Sequence, residues 1–221
     1  PIAADFIQGC NGDLSKEIER VKDEVRVAHA LGSPGIRHDA AHGFPEGHAG
    51  AKSFDTALAR ITEGCLAVTE FAATLGVRTM VENHGYFCQD SERVEKLICA
   101  VNHPNFGALI DIGNFACADE DCPKAIGRLV PYAFHVHVKD FHMKSGTQLF
   151  PGEGWFKSRA GNYLRGAIIG HGDIPVTQCL NVLKDGGYTG PLSIEFEGME
   201  DPIQGITLGL QNLRNMLAAT Y

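Results

Sequence analysis

The sequence predicts an α/β fold built on parallel strands, and three observations carry that expectation. Short β-branched or apolar runs alternate with helical-period runs from one end of the chain to the other. Strand-like runs are not joined by hairpin signals, and no linker-like stretch interrupts the chain. The runs TMVENH (79–84), ALIDIG (108–113), FHVHVKD (134–140) and LSIEFEG (192–198) each end on acidic or histidine residues, as strands do at the functional end of a parallel barrel.

In order, IAADFIQG (2–9) reads as a strand, and Asp13 caps a helix with Ile18, Val21, Val25 and Ala28 at helical spacing. Gly32 ends that helix, and Ser33-Pro34 turns the chain into GIRHDAA (35–41). A Gly- and His-rich loop (42–50) precedes a helix from about Ser53 to Leu75, which Gly76 stops. VRTMVENHG is a strand, SERVEKLICAVN a helix with Ser91 as its cap, FGALIDIGN a strand, and CPKAIGRLVPY a helix with Pro123 in its first turn. After strand 134–140, residues 141–175 read as a long loop; a helix (VTQCLNVLKD), the strand LSIEFEG and a helix around 203–218 close the chain. That makes six strand–helix units in 221 residues, whereas a complete (β/α)8 barrel usually takes about 250 residues. With the chain opening at Pro1 directly in a strand, the expectation is a single domain over 1–221. It is a (β/α)8 TIM barrel lacking its first two strand–helix units, with a smaller open α/β sheet as the alternative.

A hydrophobic content of 44% and a charged content of 21% are those of a soluble globular protein. The net charge of −8 argues against nucleic acid or an anionic membrane as partner. No membrane-span or signal-peptide pattern is present. Seven cysteines without a CxxC pair look like reduced core residues, which points to the cytoplasm.

Strict alternation in FHVHVKD sets Phe134, Val136 and Val138 on one face and His135, His137 and Lys139 on the other. The same alternation directs Glu82, Asp111 and Glu195 to the side His137 occupies. Two Glu, one Asp and one His on four strand ends suit a metal site combined with an acid/base pair. Oxygen-rich ligation with one imidazole favours Mn²⁺, Mg²⁺ or Co²⁺, with Zn²⁺ as the alternative.

VENHG, IDIGN, HVHVKD, the GxGDI turn (Gly170–Ile174) and GYTGPLSIEFEG stand in the order found in the sugar phosphate isomerase/epimerase family, which the chain resembles from residue 14 onward. That group has a xylose isomerase-like TIM barrel and includes ketose 3-epimerases, inosose dehydratase and endonuclease IV. The resemblance implies one divalent metal held by Glu82, Asp111, His137 and Glu195, the second histidine of HVH being the ligand. It implies a sugar isomerase or epimerase in which Glu82 and Glu195 exchange the proton next to a carbonyl. A lyase, dehydratase or deglycosidase starting from the same proton removal is the alternative, and a non-catalytic carbohydrate-binding protein a further one. Endonuclease IV relatives carry extra metal ligands where this chain has Asn114, Leu164 and Gly166, so a repair nuclease is disfavoured.

Around the four ligands, His84 and Asn114 are candidate substrate contacts, and Lys139 is a substrate ligand or the partner of Asp140 or Glu197. Of Arg37 and His38, only one can face the functional end. In the lid-like loop, Trp155 is a stacking candidate, and the resemblance implies that Arg165, before the GxG turn, binds substrate. The expected partner is a small sugar, and homo-oligomers are common in the family.

Overall fold

A computed structural model describes residues 2–220. The chain forms two compact units, the first running to Leu109 and the second starting at Ile110.

In the first unit, β1 (Gly35–His38), β2 (Arg78–Glu82) and β3 (Phe106–Asp111) lie parallel in that order. Helices α1 (Leu14–Ala30), α2 (Phe54–Thr74) and α3 (Ser91–Val101) alternate with them. Asp13 caps α1 as expected, accepting from Lys16 N, and Ser53, where the second helix was expected to start, caps α2 by accepting from Thr56 N. The cap of α3 is Asp90, not Ser91: its carboxylate accepts from Arg93 N, and Ser91 is the first, buried helical residue. The strand expected at 2–9 is reduced to one parallel bridge, Ile2 to His38. Asp5 explains the loss, because its Oδ1 accepts from Ile7 N at 2.9 Å and Gln8 N at 3.0 Å and curls the chain out of a ladder. Phe6 then drops into the core against Gly64 of α2, where a Cβ would meet its ring at 2.4 Å.

In the second unit, β4 (Ala133–Val138) and β8 (Leu192–Ile194) pair in parallel. The short α4 (Asn114–Cys117), then α5 (Cys122–Leu129), α6 (Val176–Asp185) and α7 (Pro202–Thr220) accompany them. Val136 and Val138 are buried while His135 and His137 are half-buried on the opposite face, so the alternation in FHVHVKD is real. The loop expected over 141–175 contains an antiparallel ribbon instead: β5 (Asp140–Lys144), β6 (Phe156–Lys157) and β7 (Tyr163–Ala167), ordered β5-β7-β6. Its glycines and charges hid an apolar face, on which Phe141 and Leu164 are fully buried. Asp140 locks the GxGDI turn beneath it, accepting from Gly170 N and Gly172 N at 2.9 Å and Ile174 N at 3.2 Å.

All seven cysteines are free. Among the described residues, no helix is long and apolar enough to cross a membrane.

Candidate metal centre

β4 and β8 pair in parallel with His137 opposite Ser193, and Glu195 N donates to Val138 O at 3.0 Å. This register brings His137 Nδ1 within 2.7 Å of Glu195 Oε2. One step back along the same face, His135 Nε2 lies 2.8 Å from Ser193 Oγ. The second histidine of the pair thus faces the Glu195 carboxylate.

Asp111 ends β3 with its side chain fully buried, its Oδ1 accepting from Gly113 N at 2.9 Å and Asn114 N at 3.1 Å. Position 113 has to be glycine, since a Cβ there would stand 2.9 Å from the Lys139 carbonyl oxygen. Lys139 is 3% exposed, and its Nζ lies 3.3 Å from Asp111 Oδ2, 3.4 Å from Glu195 Oε1 and 3.3 Å from Glu197 Oε1. Asn114 Oδ1 accepts from the same ammonium at 3.2 Å. Of the two expected partners for Lys139, Glu197 is the actual one; the Asp140 carboxylate serves the GxGDI turn. The hydrogen bond from His137 pulls the Glu195 carboxyl down to about 2, helped by the Lys139 charge and opposed by burial.

Asp111, His137 and Glu195 offer ligand atoms within 4.8 Å of one another. Two carboxylates and an imidazole drawn around a buried ammonium make a pocket with excess negative charge, which fits a hard or borderline divalent cation.

Glu82 ends β2 in the first unit, buried and ion-paired with Arg37. Arg37 also pairs with Asp39 at 3.0 Å, and His84 Nδ1 lies 3.3 Å from Asp39 Oδ1. The Asp39 carboxylate raises the half-exposed His84, against the effect of burial. Burial alone would raise Asp39 itself, but His84 and Arg37 outweigh it and its pKa falls. Asp39 was not among the expected site residues, although it follows the Arg37-His38 pair directly. His38 faces the core instead: it is fully buried between Phe6 and Phe106, its Nδ1 is 2.8 Å from Asp39 O, and burial lowers its pKa.

The structure thus gathers Asp111, Asn114, His137, Lys139 and Glu195 in the second unit, and Glu82 with His84 in the first. Arg165 sits on β7 and Trp155 immediately before β6, the guanidinium 5.6 Å from the indole centroid.

Residues 6–216 match the family model described as xylose isomerase-like TIM barrel. An inosose dehydratase of Clostridium perfringens is 26% identical over 149 residues, covering 64% of this chain and 47% of that protein. An L-ribulose-5-phosphate 3-epimerase of Escherichia coli is 33% identical over 104 residues, covering 46% of this chain and 30% of that protein. The chain thus spans about half or less of the curated relatives it matches. A xylose isomerase-like TIM barrel protein from Mycobacterium smegmatis, solved in complex with magnesium, superposes with a TM-score of 0.71 at 16% identity, covering 97% of this chain and 71% of that one. The fold is that of a TIM barrel, and the chain belongs to the xylose isomerase-like TIM barrel family.

Proposed function

We propose that this chain carries the centre of a divalent-metal-dependent sugar isomerase or epimerase that abstracts a proton next to a carbonyl. The observation behind this reading is the convergence of Asp111, His137 and Glu195 around Lys139. In the proposal Glu82 is the fourth ligand, by its matching place at the C-terminal end of a parallel strand. When bound, Mn²⁺, Mg²⁺ or Co²⁺ (Zn²⁺ as the alternative) supplies Lewis-acid stabilisation of the charge that develops on neighbouring substrate oxygens.

The chain's own residues do the rest. Glu195, held ionised by His137 and Lys139, takes the α proton, and Glu82, held ionised by Arg37, exchanges a proton from the other side. Lys139 and its Asn114 support keep Asp111 and Glu195 apart at fixed positions, and both residues act as positioning groups. His84, half-exposed and steered by Asp39, meets a substrate hydroxyl. The proposed partner is a small sugar, with the chain acting as part of a homo-oligomer in the cytoplasm.

A dehydratase is the second reading, favoured by the named activity of the relative that matches the larger share of the chain. It uses the same proton abstraction, followed by loss of water.

Metal content and Mn²⁺ or Co²⁺ binding, compared for wild type and Asp111→Ala, test the proposal. One equivalent bound by wild type and lost in the variant is expected, followed by α-proton exchange on a sugar panel in D₂O. Exchange without loss of water marks the isomerase or epimerase, and exchange with it marks the dehydratase. Absence of divalent-metal binding to wild type would sink both.

A further inference from the structure

Asp39 takes no part in the proposed proton exchange, yet two side chains of the first unit converge on it. It stands one residue past β1 and is 8% exposed. Its Oδ1 accepts from Arg37 Nη2 at 3.0 Å and lies 3.3 Å from His84 Nδ1. The same guanidinium pairs with Glu82. One carboxylate oxygen thus ties the arginine behind Glu82 to the imidazole two residues further along the chain.

Backbone contacts fix both members of the Asp39–His84 pair. Asp39 N donates to Ile2 O at 3.1 Å, and Asp39 O lies 2.8 Å from Nδ1 of the buried His38. His84 N donates to Cys88 O at 3.3 Å in an isolated antiparallel bridge, and Gly85, at φ +75°, lets the chain turn directly after it. A pair held on fixed backbone needs no ligand to order it.

An ionised carboxylate can only accept, so the hydrogen between the two side chains sits on His84 Nδ1. A neutral imidazole carries one N–H, which leaves Nε2 with its lone pair. Free histidine prefers the opposite tautomer, with the proton on Nε2. The His84 side chain is 46% exposed, and among the described residues its Nε2 makes no hydrogen bond.

We infer that Asp39 is a positioning residue that holds His84 in its Nδ1–H tautomer and presents the Nε2 lone pair as a hydrogen-bond acceptor. An acceptor at that point selects a hydroxyl over a carbonyl or ether oxygen, which can only accept. A sugar then lies with a hydroxyl, and not its carbonyl, against His84. This consequence for substrate rests on the proposed sugar chemistry; the tautomer does not.

The test is ¹⁵N nuclear magnetic resonance of the full chain labelled at histidine, without metal or substrate, at alkaline pH where the ring is neutral. The signals lost in His84→Gln assign the ring. Wild-type His84 should show a protonated Nδ1 and an unprotonated Nε2. Asp39→Ala, shown folded by circular dichroism, should move the proton to Nε2 in most molecules. A carboxylate that only holds the fold together would change stability and leave the tautomer where it is. The inference is overturned if wild-type His84 carries its proton on Nε2, a result that needs no variant, or if folded Asp39→Ala keeps the Nδ1–H form. On any sugar whose α proton the wild type exchanges, Asp39→Ala should slow exchange about tenfold or more, as loss of a hydrogen-bonding contact does. Unchanged exchange would overturn the hydroxyl contact. Because the tautomer is read without metal or turnover, failure here and failure of the metal proposal are separate results.

Discussion

His137 Nδ1 and Glu195 Oε2 stand 2.7 Å apart, joined by a hydrogen bond across the parallel β4–β8 pair. A cation that takes both groups has to displace this hydrogen bond, and neither an imidazolium nor a protonated carboxyl can ligate. Mn²⁺ affinity, measured by calorimetric titration, should therefore fall as pH is lowered from neutral into the acid range. An affinity independent of pH over that range would contradict the use of this pair as ligands.

Lys139 neutralises a cluster whose innermost member, Asp111, has no exposure at all. Lys139→Met leaves that carboxylate uncompensated and should cost about 3 kcal/mol at neutral pH, the lower end for breaking a buried pair because Glu195 and Glu197 are partly exposed. Chemical denaturation measures it, and added Mn²⁺ should restore much of the loss. Unchanged stability would mean that the ammonium contributes no net stabilisation.

Glu17 is the acid-sensitive point of α1. Burial alone would raise its pKa, but Arg20 (2.7 Å), Asp5 N (3.1 Å) and the Cys10 thiol (3.3 Å) bring it below the ordinary 4.5. A depressed carboxyl pKa stabilises the folded state above the unfolded value, and that contribution fades as pH falls through the folded one. Glu17→Gln should lower stability at neutral pH by about 1–3 kcal/mol and flatten the decline below the ordinary glutamate pKa. Denaturation midpoints across the acid range decide this.

Gly166 permits β7 to meet the chain after β8, for a Cβ would come within 2.1 Å of Glu197 O and 2.8 Å of Gly198 N. Both neighbours are backbone atoms that cannot rotate aside. Gly166→Ala should therefore destabilise by about 1–3 kcal/mol and disturb the 195–197 segment, read as weakened metal binding. A variant as stable as wild type would show that the two segments separate easily.

Alternation in the sequence determined the parallel strands, the inward row of FHVHVKD and the placing of Asp111 and His137 at strand ends, because side-chain period and burial are local properties. Capping by Asp13 was equally legible, since a cap is a contact within one turn. Tertiary structure alone decided what rests on distant partners. Asp5 bending residues 2–9 away from a strand, Lys139 choosing Glu197 over Asp140, Arg37 rather than His38 meeting Glu82, and the ribbon hidden in 141–175 are such cases. In each, a polar group had several candidates along the chain. The one it took was set by which backbone approached closely enough to satisfy it, a quantity that spacing in sequence does not contain.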